Sequence, residues 1–501
     1  MAFLCAIALF PAACSLAPSY SRPASPVPAS FDPLQPAAAP AAAPGEAADA
    51  LTEKTILPGD LWGLGEVYPE PRLRALLRLA LSRDRDLTLA LLSVAEARAS
   101  VKVSRAERLP SLEAAGTKTV RGGAERPTDR SYALEGMIPS FEIDLFARAQ
   151  NMEAMALAEF LASEERLKAL KISTVAAVTQ AYLEERLLAQ QIEVAQRTLR
   201  AYRDSLAFQE TRVIAGQSSL LDLERARAQT EVAASALWAL EVSHARAENA
   251  LKLTVGDFNL SSLPAPLDLS AWEIKVLDAE IDSSVLWGRP DVLAAEWGLK
   301  SAHFDIGVAR AAFFPRLSLT SALGYMSERL ASLFTGANNS WSFAPNVTLP
   351  LFAGGANFAN LELSEIRRSK AVVEYEKAVL TAFGEVSDAL LAKEDLKRRL
   401  DANRQLLATQ RRVLSLATER YLSGAASYLD VLDSQRMVFE AEMGFLEARQ
   451  SYLFNASALF AALGGGLNEE GLPPLESVAP LTPPAPLDPL APPPPPAAPN
   501  Q

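Results

Sequence analysis

The sequence is short of the residues that chemistry most often needs. Only two cysteines occur in 501 residues, Cys5 and Cys14, and only two histidines, His244 and His303. Neither histidine has a ligand-spaced partner, so no metal site is expected. A Gly-x-Ser-x-Gly elbow and a phosphate-binding Gly-Lys-Ser/Thr loop are both missing, so no catalytic residue, no cofactor and no enzymatic activity are expected. Beyond the first twenty residues no apolar run reaches about 18 residues, which excludes a membrane-spanning helix but leaves a β-barrel open, because barrel strands leave a much weaker trace. Basic charge is in deficit, with 48 Lys+Arg against 60 Asp+Glu and a net charge of −12. That balance argues against nucleic acid or an anionic membrane surface as the main partner.

What is present begins with an export signal. Residues 1–13 form a short apolar segment ending in small residues, followed by Cys14 and Ser15. This resembles a bacterial lipoprotein signal, in which the cysteine is acylated and becomes the mature N-terminus, and Ser15 resembles the residue that follows it in lipoproteins sorted to the outer membrane. Pro11 and an uncharged n-region depart from the pattern, and the start codon is expected upstream. Residues 14–60 are rich in Pro, Ala and Ser and predict an extended, lipid-anchored tether. Residues 466–501 form a Pro-rich tail.

The body between them is duplicated. Asp86 and Pro110 recur as Asp291 and Pro315 at an offset of 205, LeuPheAla (145–147) as LeuPheAla (351–353) at 206, and ArgValIleAlaGly (212–216) as ArgTyrLeuSerGly (420–424) at 208. Three markers in one order define a first repeat over 61–256, an equatorial linker over 257–284 and a second repeat over 285–465. Each repeat predicts a helix (about 70–108 and 285–313), two strands (111–121 and 130–145; 316–326 and 340–351), and a long helix whose glycine stop leads into a return helix. Residues 149–215 contain no Gly or Pro and 356–423 only Gly384, so each long helix would run roughly 100 Å. Leu188, Ile192, Ala195, Leu199, Tyr202 and Leu206 step as a coiled-coil seam, which Leu396, Leu400, Asn403, Leu407, Gln410 and Leu414 repeat. The polar Asn403 and Gln410 are expected to face water or a neighbouring chain.

Four strands cannot close a transmembrane barrel, which needs about eight. An open sheet in lipid would leave unpaired edges. The expected fold is therefore mainly α with a small β part: a long antiparallel coiled-coil tunnel plus four transmembrane strands per chain, closing as a homotrimer.

The motifs ArgProAspVal (289–292), IleGlyValAlaArgAlaAlaPhePheProArgLeuSerLeu (306–319), LeuPheAlaGlyGly (351–355) and TyrLeuSerGlyAlaAlaSerTyrLeuAspValLeuAspSerGlnArg (421–436) together resemble the TolC-like outer-membrane factor family, in its lipoprotein efflux (OprM/NodT-like) branch. The resemblance implies a trimer with a 12-stranded outer-membrane barrel above a 12-helix periplasmic tunnel. It also implies a periplasmic adaptor and an inner-membrane pump, of the resistance–nodulation–division type, as partners in small-molecule efflux. The alternative is the exit duct of a type I protein or polysaccharide secretion system.

By position the family's periplasmic gate falls on Leu429 and Asp433, with Asp430 the other nearby carboxylate. Three copies of a carboxylate around a narrow axis favour cations, and leucines make an apolar constriction. Asp430, Asp433 and Asp222 also suit helix N-termini, where the dipole favours acids. Adaptor docking is assigned to the hairpin turns, with Arg212, Gly216, Ser218, Ser219, Arg420, Gly424 and Ser427. ArgProAspVal and the acid–arginine pairs on the rods suit helix starts and solvated faces.

Overall fold

The computed structural model describes residues 15–31, 67–123, 126–257, 259, 263–274 and 281–465. The signal segment, Cys14 and the tail over 466–501 lie outside them. The first repeat builds helices α1 (Pro71–Arg83) and α2 (Arg85–Ala106), strands β1 (Glu113–Gly123) and β2 (Arg126–Ile143), and helices α3 (Arg148–Ile214) and α4 (Leu220–Val255). The second builds α5 (Pro290–Ala311), β3 (Arg316–Ser327), β4 (Asn339–Thr348), α6 (Ala356–Leu422) and α7 (Tyr428–Ala462).

The single helix expected over 70–108 is two. Asp84 between them is extended (φ −59°, ψ 127°), and its carboxylate accepts from the Asp86 N–H to cap α2. A 3₁₀ helix, Ser283–Gly288, precedes α5 at the matching place in the second repeat, so the joint itself is duplicated.

The four strands form one antiparallel sheet in the order β1-β2-β3-β4. Register pairs Leu134 with Tyr325, Phe141 with Leu319 and Ile143 with Leu317. It also pairs Leu317 with Val347, Ser321 with Phe343 and Leu323 with Trp341. Alternation along each strand puts these apolar residues on one face, while Ser318, Thr320, Ser342, Asn346 and Thr348 share the other. The apolar face from Leu317 to Tyr325 runs about 27 Å along the strand, or roughly 20 Å along the membrane normal at the usual tilt of about 40°, near the roughly 25 Å apolar band of an outer-membrane barrel. β1 and β4 each keep one edge without a partner strand among the described residues. At the centre, Gly324 lies so close to β2 that a Cβ there would run into the Leu134 carbonyl oxygen and Glu135 Cα, which explains a glycine inside a strand.

α3 and α6, each 67 residues long, pair with their return helices α4 and α7. α3 also packs on α7, so α4 and α6 are the outer rods of one chain. The predicted seam holds in the first hairpin, where Leu188, Ala195, Leu199 and Tyr202 are buried. In the second, Leu400 and Leu407 are buried. Asn403, expected to face water or another chain, instead points at α7, where its Oδ1 would lie 3.2 Å from a Cβ at Gly444. A residue without a side chain makes room for the polar one.

The largest core gathers α1, the middle of α3, the end of α4 and the linker around Tyr68, Leu73, Tyr182, Leu183, Leu251 and Trp272. Two buried arginines fasten neighbouring elements, Arg449 the linker to α7 and Arg289 the helices of the second repeat to one another. Arg449 donates to the carbonyls of Leu269 and Trp272 and pairs with Glu273, holding the linker on α7. Arg289 sits at the N-cap of α5, pairs with Asp291 and Glu385 at 2.7 Å each and donates to the Ala462 carbonyl at 2.6 Å. The ArgProAspVal motif is thus a helix start as expected, but its arginine is buried and knots α5, α6 and α7 together rather than lining a solvated face.

The start of the expected tether is docked. Residues 15–31 run along α5 from its C-terminal end to its N-terminal end. The Ser15 hydroxyl donates to Asn151 Oδ1 (2.9 Å), and Arg310 donates to the Leu16 carbonyl (3.2 Å). Ala17 passes over Gly307, where a Cβ would lie 2.9 Å from the Ala17 Cβ. Tyr20 and Arg22 both donate to the buried Glu296 (3.0 and 2.6 Å). Phe31 stacks on Phe383, and Ser30 bridges Asp282.

Candidate functional site

Functional residues of a duct lie where its bore narrows, and the hairpin turns are the free ends of the rods. Both turns are built alike. Gly216 (φ 70°) and Gly424 (φ 76°) terminate α3 and α6 in the left-handed region, where the Gln217 N–H returns to the Arg212 carbonyl and the Ala425 N–H to the Arg420 carbonyl. Ser219 and Ser427 then cap α4 and α7. Asp430 closes a full capping box, accepting from the Ser427 N–H (3.0 Å) while the Ser427 hydroxyl accepts from the Asp430 N–H. Asp222 meets Ser219 differently: its N–H donates to the Ser219 hydroxyl, and its Oδ2 accepts from that hydroxyl rather than from the backbone. Asp430 therefore has a structural task that by itself accounts for a carboxylate at that position.

Asp433 is different. It is exposed one turn further along α7 and pairs with Arg436 across the surface at 2.8 Å. That carboxylate raises the Arg436 guanidinium pKa above its ordinary value. Leu429, half-exposed, lies with Asp430 and Asp433 on a groove of about 520 Å³ bounded on the α6 side by Val413, Leu416, Ala417 and Arg420. The structure thus brings all three gate candidates to one surface at the foot of the second hairpin.

The docking candidates divide. Gly216 and Gly424 have open space around them. Arg212 turns inward, donating to the Tyr421 hydroxyl (2.9 Å) and the Gln217 carbonyl, with its guanidinium 5.1 Å from the Tyr421 ring centre. Ser218 donates to Gln209, whose amide in turn donates to the Tyr421 hydroxyl (2.8 Å). Arg420 donates to the Ala425 carbonyl at the turn. Most polar groups of the tips are therefore satisfied within the chain, and beside them stand exposed apolar side chains: Ile214 and Leu221 on the first tip, Leu422 and Leu429 on the second. These occupy equivalent repeat positions, offset by 208.

Sequence reasoning did not identify the tie between the two tips. Tyr428 is buried against Ala226 and Val431, and its hydroxyl meets the Ser205 hydroxyl at 2.8 Å; burial raises its pKa above that of an ordinary tyrosine. With Tyr421 it joins the second hairpin to the first. The signal was available as an asymmetry, since Tyr421 and Tyr428 stand where the first repeat has Val213 and Leu220.

Among the described residues no helix is long and apolar enough to cross a membrane, and no group of three or more His, Cys, Asp or Glu is placed to hold a metal ion. The family model described as outer membrane efflux protein matches residues 76–257 and 283–465, one segment for each repeat. The probable outer membrane lipoprotein SilC of Salmonella typhimurium is 36% identical over 460 residues, covering 90% of this chain and 95% of that protein. The toluene efflux pump outer membrane protein TtgI of Pseudomonas putida is 36% identical over 464 residues, with 90% and 95% covered. The open state of the MtrE outer membrane channel of Neisseria gonorrhoeae is similar in structure at a TM-score of 0.82 and 33% identity, with 91% and 99% covered.

Proposed function

The chain belongs to the outer membrane efflux protein family and is an outer-membrane channel of a Gram-negative bacterium; on that premise we propose that it is the passive exit duct through which small molecules, drugs and toxic compounds among them, leave a tripartite pump. One protomer supplies four strands with two open edges and four rods, so three copies supply twelve of each and close both the barrel and the tunnel. A periplasmic adaptor docks on the tips, where Ile214, Leu221, Leu422 and Leu429 offer exposed aliphatic surface. An inner-membrane pump of the resistance–nodulation–division type supplies the energy.

The observation that carries the gate assignment is the joint exposure of Leu429 and Asp433 on the foot of the second hairpin. Three Leu429 side chains constrict the bore and three Asp433 carboxylates favour cations in it. Asp430 contributes charge while holding the N-terminus of α7. The double variant Leu429→Ala/Asp433→Ala is expected to raise single-channel conductance severalfold in a planar bilayer; unchanged conductance would reject this gate.

Cys14 is the proposed lipidation site. Its neighbour Ser15 is hydrogen-bonded to Asn151 at the start of α3, just beyond the last residues of β2. An acylated Cys14 would therefore enter the inner leaflet beside the barrel. Mass spectrometry of the mature N-terminus is expected to show a lipid-modified cysteine, and a free Cys14 thiol would remove the anchor from this reading.

A further inference from the structure

The outward face of the sheet changes character above its apolar band. Gly116, Leu134 and Tyr325 form one cross-strand row at the band's distal limit. The next two rows on the same face pair Lys118 with Tyr132 and Val120 with Arg130, about 7 and 14 Å further along the strands. The β3–β4 pairing ends here at Tyr325 and Asn339, and β3 adds only Ser327, opposite Tyr132, before the β1–β2 hairpin carries on to the Arg130 row. Lys118 Nζ lies 5.8 Å from the centre of the Tyr132 ring. Lys118 and Arg130 are exposed, and neither has an ion-pair partner among the described residues.

The nearby charges are sorted by face. Arg121 pairs in register with Asp129, and strand alternation sends both, with Glu135, to the opposite side. Glu328 and Arg329 follow β3 as exposed neighbours of opposite sign. Below the cations, Phe334 meets Tyr325 edge-on at 5.8 Å, and Leu330 and Phe334 are largely exposed. From the membrane centre outward the face therefore reads aliphatic, aromatic, then cationic, although the whole chain carries a net charge of −12.

We propose that Lys118, Tyr132 and Arg130 form a binding site for the phosphorylated headgroup of the outer leaflet's anionic glycolipid. The apolar floor of Leu134, Tyr325 and Phe334 takes the acyl chains. The two unpaired cations stand one headgroup layer higher and take the phosphates, which a guanidinium and an ammonium both suit. The aromatic ring between them sits at the depth where amphipathic rings concentrate. Three copies ring the barrel with six such cations. This reading goes beyond the transport function and depends only on the sheet's orientation, with its hairpin ends outward and its helices in the periplasm.

The test uses the full-length trimer purified in a zwitterionic detergent, with lipid A carrying both phosphates as the probe and native mass spectrometry as the readout. Each surface cation contributes about fivefold in affinity, so Lys118→Gln/Arg130→Gln is expected to weaken lipid A binding about 25-fold. Arg121→Gln removes one cation from the other face of the same hairpin and is expected to leave binding unchanged. Dephosphorylated lipid A is expected to bind the wild type as weakly as lipid A binds the double variant. Wild-type affinity in the double variant, or equal binding of the two lipids, would overturn the proposal. Conductance of the double variant, recorded in parallel, identifies an intact duct, so a negative lipid result leaves the transport reading standing.

Discussion

Glu296 shows how one buried carboxylate organises a segment that composition alone describes as a linker. It is almost fully buried and takes donors from Tyr20, Arg22 and Lys300. Burial pushes its pKa up, but hydrogen bonds from Lys300, Arg22 and Tyr20 outweigh that and hold it below the ordinary value of 4.5. Because the folded value is depressed, the ionised carboxylate stabilises the docked segment above about pH 4.5, and that contribution is lost as pH falls through the lower folded value. Glu296→Gln is expected to cost about 1–2 kcal/mol of docking, toward the lower end because Arg22 is half-exposed. Chymotryptic cleavage after Tyr20 should then be faster in the variant at neutral pH. Hydrogen exchange of residues 15–31 in the wild type, corrected for intrinsic rates, should rise once the pH drops below the carboxyl range. His303, against the Tyr20 ring, is held below its ordinary value first by burial and then by Arg368.

At the scale of elements, the sheet depends on a contact that no periodicity announces. Gly324 admits the β2 backbone, and Gly324→Ala would force the two central strands apart. The expected cost is about 3 kcal/mol or more, because the obstacle is backbone rather than a flexible side chain. Resistance of the assembly to dissociation in SDS should be lost while the far-ultraviolet helical signal remains. Long helices, hairpin stops and strand pairs were legible in the sequence because each has a period or a breaker residue. The break at Asp84 was not, since it falls inside a continuous amphipathic run without Gly or Pro, and only the extended backbone of a self-capping aspartate marks it. The Asn403–Gly444 contact was equally hidden, because it joins two helices 41 positions apart in sequence.

For the whole molecule, the duplication made the architecture readable and the unpaired sheet edges made oligomerisation necessary. The buried connections were out of reach: the partners of Arg289 within the second repeat, of Arg449 on the linker and of Tyr421 on the first hairpin are set by tertiary packing rather than by spacing. For the gate, family resemblance pointed to a neighbourhood, where both aspartates are exposed but Asp430 caps α7 while Asp433 pairs with Arg436. The outer rods indicate where copies meet. Trp238 and Val242 on α4 and Leu391, Leu406 and Val413 on α6 are exposed in one chain, and such apolar surface marks a protein interface. Trp238→Glu is expected to cost about 2 kcal/mol or more at each of three seams and to shift the protein toward monomer in analytical ultracentrifugation.

The docked N-terminal segment also sets an order of events. Tyr20 and Arg22 are made well before their partner, since Glu296 lies 276 and 274 positions later, and Phe383 later still. At about 5–20 residues per second the chain needs roughly 15–55 s to supply that carboxylate after the segment has emerged. The contact has the high sequence separation that delays closure until both ends exist. The segment around Tyr20 and Phe31 is thus made early and seated late, after the parts of the second repeat that hold Glu296 and Phe383 exist.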